Sequence, residues 1–215
     1  MYSWKRLRDH LVYGVSKRTL VIVLALVTVL ASVTGGTVAM LQTRKQVTNV
    51  FTYGDLSIDL YETDTRLDND DSPDTNWYMM IPRARNPIAK DPTVRVDAGS
   101  VDCWLFVVIE KSANYDRYLM HDIADGWMAL PGSDGVYYRE VDSSDMPQLF
   151  AVLAGNVVNL RPEATTEELA QLDPPSYPTL DFTAYAVQRD ASVTEIATAD
   201  AAWQLVLGNK ATVHE

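Results

Sequence analysis

The sequence predicts a β-sandwich, and three observations carry that prediction. Apolar and polar residues alternate with period two over much of the chain after residue 41, the alternating stretches are short, and turn residues separate them. Two brief helical signals interrupt the strands, and an apolar segment precedes them all.

That first segment, Leu20 to Val33, reads LVIVLALVTVLASV, with Lys17-Arg18 as its positive flank. The pattern is that of a secretory signal peptide over residues 1–39. Gly35-Gly36 breaks the helix, and Thr37 and Ala39 supply small residues at the −3 and −1 positions, so Met40 opens an exported domain over 40–215. The competing reading is an uncleaved membrane anchor over residues 20–41, long enough to cross a bilayer. Under either reading the basic flank keeps the N-terminus in the cytoplasm.

Leu56, Ile58 and Leu60 then alternate with polar neighbours, as do Val94 and Val96, which makes each stretch a half-buried strand. Val101 to Ile109 is apolar on both faces after Asp102 and predicts a central strand covered on both sides. Trp127 to Leu130 and Val136 to Tyr138 flank Pro131-Gly132-Ser133-Asp134-Gly135, a hairpin. Leu149 to Leu153 and Val157 to Leu160 flank Gly155-Asn156 and predict another. Leu180, Phe182, Ala184 and Ala186 mark one face of a long late strand.

Thr165-x-x-Glu168 reads as a capping box opening a short helix with Leu169 and Leu172 inward. Ser192-x-x-Glu195 predicts a second cap, with Ile196, Ala199, Trp203 and Val206 on one face and Gly208 ending the helix. Both helices are expected to cover an edge or end of the sandwich.

The 215 residues carry 18 basic and 29 acidic side chains, a net charge of −11. Five basic residues and one acid fall before Met40, leaving 13 and 28, or −15, for the exported part. A surface so acidic excludes nucleic acid, whose phosphates need clustered Lys and Arg. Within the acidic stretch from Glu62 to Asp74, the residues Asp68, Asp70, Ser72 and Asp74 alternate as in a calcium loop. The sixth position from Asp68 is Pro73 where a sharp turn needs Gly, and the twelfth is Met79 where a bidentate Glu is required. A solvated loop is the favoured reading, with a weak calcium site as the alternative.

Little material for catalysis is present. Cys103 is the only cysteine, which rules out a disulfide within the chain, and its apolar strand predicts a buried, inert thiol. His121 reads as a strand-end or turn residue. The H-E-x-x-H spacing of zinc proteases, a nucleophile elbow and the phosphate-cradling glycine motifs do not occur. No cofactor, metal site or catalytic residue is expected, and the chain is read as no enzyme.

Several stretches together resemble one family. The apolar segment ending in Gly35-Gly36-Thr37-Val38-Ala39, followed by the run from Val47 to Leu60, is similar to the start of TasA/camelysin-type proteins. Thr48, Asn49, Phe51 and Gly54 stand at the recurring Thr-Asn-x-Phe-x-x-Gly positions of that family, with Val47 just before them. Lys90-Asp91-Pro92-Thr93-Val94, Ala98-Gly99-Ser100, Asp134 to Tyr138 and Thr183 to Gln188 are similar to its clostridial-type branch. One departure is Met40-Leu41-Gln42-Thr43-Arg44, where many members carry an aromatic and an acidic residue.

The resemblance implies a SipW-dependent signal peptide of Gram-positive bacteria and removal of it by a dedicated signal peptidase. It also implies a jelly roll, so that with the two short peripheral helices and the N-terminal hydrophobic signal helix read above, the expected fold is a jelly-roll-like antiparallel β-sandwich. Family members build fibres of the biofilm matrix or cell surface. The metallopeptidase label that some members carry finds no ligand motif here. The expected function is therefore an exported structural subunit that self-associates into fibres. Its candidate strand donor runs from Leu41 to Phe51, which in the plainer reading is a first strand in its own sheet. The alternative function is a membrane-anchored surface module that binds a ligand or cation and touches the membrane only through residues 20–41.

Overall fold

A run that is apolar on both faces has to lie inside a sheet covered on both sides, and the stretch ending at Ile109 does so. The computed structural model describes residues 39–51, 55–65, 75–80, 87–191 and 194–212. The apolar segment from Leu20 to Val33, Thr37, Gly54, the positions Asp68, Asp70, Ser72, Pro73 and Asp74, and Ser192 lie outside the described residues.

In chain order the strands are β1 (Ala39–Phe51), β2 (Ile58–Tyr61), β3 (Thr75–Met80), β4 (Ile88–Ala89), β5 (Thr93–Val96), β6 (Cys103–Lys111) and β7 (Leu119–Met120). They continue with β8 (Met128–Ala129), β9 (Val136–Val141), β10 (Gln148–Ala151), β11 (Val157–Leu160), β12 (Leu180–Gln188), β13 (Asp190–Ala191) and β14 (Thr194–Glu195). The helices are α1 (Tyr115–Tyr118), α2 (Thr166–Leu169) and α3 (Ala199–Thr212). The chain is mainly β, and one six-stranded sheet runs β3-β1-β12-β6-β9-β8. The described residues also form two three-stranded sheets, β10-β5-β2 and β4-β11-β7, and the β13-β14 hairpin. Among the described strands, one pairing departs from the antiparallel rule. β1 runs parallel to β12, with Lys45 opposite Phe182 and Val47 opposite Ala184.

Period two sorts β6 and β12 between two cores. Cys103, Leu105, Val107 and Ile109 join Phe182 and Ala184 in a core shared with Ile58, Leu60, Val94 and Val96 of the β10-β5-β2 sheet. Trp104 and Phe106 point the other way and pack with Tyr185, Val187, Ala202, Trp203 and Val206. β6 and β12 are therefore buried on both faces, and that burial is what the continuous apolar run of β6 reports.

The β8–β9 hairpin forms as expected, with Met128 opposite Tyr138. Gly135 allows its close approach to β6. Its φ of +74° is left-handed, and a Cβ there would stand 2.6 Å from the Ile109 carbonyl oxygen.

Four expectations are corrected. β10 and β11 are not a hairpin, because β10 pairs with β5 while β11 pairs with β4 and β7. Gly155 and Asn156 do turn the chain, with φ of 63° and 54°, but the turn sends it from one sheet to another. Glu195 pairs in β14 ahead of the helix, and the side chain of Thr198 accepts the Ala201 N–H at 3.2 Å. Gly208 does not end α3, which runs on to Thr212, and α3 covers a face of the sheet, not an edge or end. The Thr165–Glu168 capping box is present and opens α2, with Leu169 buried.

Candidate functional site in the seat of the first strand

The residues singled out around the N-terminal motif converge on β1. Ala39 and Met40 begin it, and Val47, Thr48, Asn49 and Phe51 form its far half, opposite Ala184, Tyr185, Ala186 and Val187 of β12. The register shifts between Asn49 and Phe51, a bulge where the strand leaves the sheet. On its other side β1 pairs antiparallel with β3, from Ala39 opposite Met80 to Arg44 opposite Thr75. The candidate strand donor thus lies in the middle of its own chain's sheet. Among the described residues, β3 pairs with β1 and with no other strand.

Side chains hold β1 in place as well. Leu41 is fully buried in the shared core. The Arg44 N–H donates to Asp181 Oδ1 at 2.7 Å, and the Gln42 N–H donates to the Pro178 carbonyl at 3.1 Å. Burial, set against the Arg44 hydrogen bond, moves the Asp181 carboxyl above its ordinary range.

Next to this seat lies a cluster that the motif reading missed. Lys90 Nζ reaches Glu62 Oε1 at 2.7 Å, with side-chain exposures of 0% and 4%. The Tyr78 hydroxyl on β3 donates to the same oxygen. The Lys90 ammonium lies 5.0 Å from the Tyr78 ring centre and 4.9 Å from that of Phe182 on β12. Burial lowers the Lys90 amine to about 8 against the opposing pull of Glu62. Burial first, and then the Glu62 charge, push the Tyr78 hydroxyl far up, so it remains a proton donor.

The segment that carries Glu62 is tied down on both sides. Thr63 donates from its N–H and its hydroxyl to Asp91, at 2.9 and 2.7 Å, and Asn76 bridges to Thr63 and Thr65. Reading Glu62 as the start of a solvated acidic loop is therefore corrected, since its carboxylate is buried in an ion pair. A signal was available. Leu56, Ile58 and Leu60 are buried at even positions, and Glu62 continues that parity. Lys90 falls in register with buried Val94 and Val96, and Tyr78 with buried Asn76 and Met80.

No family model, curated protein or solved structure matches this chain. Cys103 is buried, and its thiol is raised to about 12 by burial. His121 follows β7 and bonds through Nδ1 to the Tyr115 hydroxyl at 2.8 Å, with burial lowering its basicity. Among the described residues, no three His, Cys, Asp or Glu side chains gather where a metal ion could be held. Among the same residues, no helix is long and apolar enough to cross a membrane. What the seat of β1 can do is exchange backbone hydrogen bonds.

Proposed function

We propose that the chain is an exported structural subunit of cell-surface or matrix fibres, assembled by exchange of β1 between copies. One observation carries the reading. A strand that precedes all the others in the exported part sits mid-sheet, between β3 and β12, and is paired on both sides. Lifting it out opens a slot whose two walls present unsatisfied N–H and C=O groups, which the β1 of a second copy can satisfy in the same register. The closed and exchanged forms make the same strand pairings, so protein concentration and the strain of the linker decide between them. Residues 52–57 join β1 to β2 and reach about 20 Å when extended, enough to hand the strand to an adjacent copy. Passing β1 forward in one direction gives an open-ended, head-to-tail chain.

The basic leader ahead of an acidic body and the resemblance to TasA/camelysin-type proteins support export and a fibre role. We read the architecture as a jelly-roll-like sandwich, because the chain passes repeatedly between sheets: β1 large, β2 small, β3 large, β4 and β5 in the two small sheets, β6 large. In this role the chain performs no turnover.

Electron microscopy of the processed protein is expected to show filaments, and deletion of Leu41 to Thr48 to abolish them while added peptide of that sequence binds the truncated subunit. Filaments that persist after the deletion would overturn the reading. N-terminal sequencing is expected to place the mature start at Met40, where it frees β1.

A further inference from the structure

We propose that Lys90 and Glu62 become joined by an intramolecular amide bond, which the chain forms by itself with Tyr78 as proton relay. The inference goes beyond strand exchange and holds whether or not β1 is exchanged.

The geometry supplies what such a reaction needs. Amine and carboxyl are held together at 2.7 Å by segments 28 residues apart, so the reaction is unimolecular and its orientation is set by the fold. The rings of Tyr78 and Phe182 wall the amine, and both side chains are all but closed to solvent, which keeps out the water that drives amide hydrolysis. Burial also favours the product. Two ions out of water carry a desolvation cost, whereas an amide and a released water carry no charge.

The step balances without any added reagent. Lys90 Nζ bonds to Glu62 Cδ, and the Cδ–Oε1 bond breaks. The ammonium keeps one of its three protons on the new amide, and the other two leave with Oε1 as water. Tyr78, whose hydroxyl already donates to Oε1, delivers one of these protons and recovers one from Nζ. Lowering of the amine to about 8 makes its neutral, nucleophilic form accessible near neutral pH.

The bond would close a ring containing β3. It would tie the end of β2 to the segment just after β4, and so join two small sheets that share no strand pairing. β3 is the outer wall of the β1 seat, so the ring would keep that wall in place.

The test is mass spectrometry of the purified full chain, intact under denaturing conditions and after digestion. The expected result is a chain one water lighter than its sequence, with a branched peptide joining the segments around Glu62 and Lys90. Lys90→Arg keeps a cation but cannot be acylated, and is expected at full mass with the two segments separate. Tyr78→Phe is expected to accumulate the bond at least about tenfold more slowly, given the ~10²–10⁴-fold typical of positioned proton transfer. Wild-type Glu62 and Lys90 peptides found separate overturn the proposal. So does a water loss confined to Asp125-Gly126 or Asp134-Gly135, where a succinimide gives the same mass. Tyr78→Phe forming the bond at the wild-type rate removes Tyr78 from the reaction. The assay reads monomers and filaments alike, so a failure to assemble leaves its result intact.

Discussion

The two faces of the six-stranded sheet are stabilised by different means. Under α3, aromatic rings do the packing: Phe106 and Trp203 lie 5.3 Å apart, Tyr185 and Trp203 5.8 Å, and Trp104 and Tyr138 6.0 Å. Trp104 Nε1 there donates to the Ile196 carbonyl at 2.7 Å. The opposite face includes, within its apolar core, an ammonium, a carboxylate and a phenol that share one oxygen. Packing on the first face is non-directional and tolerates repacking. The second face holds, until the amide closes, charges that stay buried only while all three partners are in place. A face of that kind fixes where β2, β3 and the end of β4 lie relative to one another, which apolar packing specifies less sharply.

The comparison is broken most strongly by one truncation on each face. Trp203→Ala removes the largest ring under α3 and is expected to cost about 3–5 kcal/mol, lowering Tm by roughly 10 °C. Glu62→Ala leaves the Lys90 ammonium buried without its partner, at a similar cost of about 3–5 kcal/mol. The two differ in pH dependence. In the chain whose amide has not closed, Lys90 is lowered from 10.5 to about 8, so its favourable contribution is complete above 10.5 and lost as pH falls through 8. The deficit of Glu62→Ala should therefore shrink between pH 7 and 9, while that of Trp203→Ala stays level. Urea midpoints across that range compare them, and a deficit for Glu62→Ala that does not change with pH would show that Lys90 does not titrate in the core.

A smaller effect sharpens the picture of β6. Cys103 is raised from 9.0 to about 12, so its contribution to stability is complete below 9 and lost as pH rises through 12. Cys103→Ala should flatten the alkaline decline by up to about 1.4 kcal/mol per pH unit, and a thiol reagent should label the wild-type residue only once the chain unfolds. The smallest effect belongs to the cap of α3. Thr198→Ala is expected to cost about 1 kcal/mol, read from the same urea midpoints.

Much of the strand pattern was legible because period two is a local property. β2, β5, β6 and β12 lie where alternation puts them, and the Thr165 box opens α2. The β10–β11 hairpin failed for an equally physical reason. Gly155-Asn156 dictates left-handed backbone, but a turn does not specify which sheet receives the outgoing strand. Gly208 misled because a glycine within a helix costs only about 1 kcal/mol, which the burial of Trp203 and Val206 on α3 offsets. The site was less legible still. Glu62 looked like the first residue of an acidic loop, and only its parity with Ile58 and Leu60 pointed inward.

Strand positions, turn chemistry, the charge contrast between residues 1–39 and the rest, and the buried thiol follow from the order of residues, because each depends on near neighbours or on composition. The parallel seat of β1 beside β12, the choice of sheet for each strand and the meeting of Lys90, Glu62 and Tyr78 were decided by folding alone. The hydrogen bonds involved join residues 16 to 137 positions apart in the chain, and short-range patterns carry no information about distances of that kind. Their energies depend on burial, which exists only once the sheets have packed together.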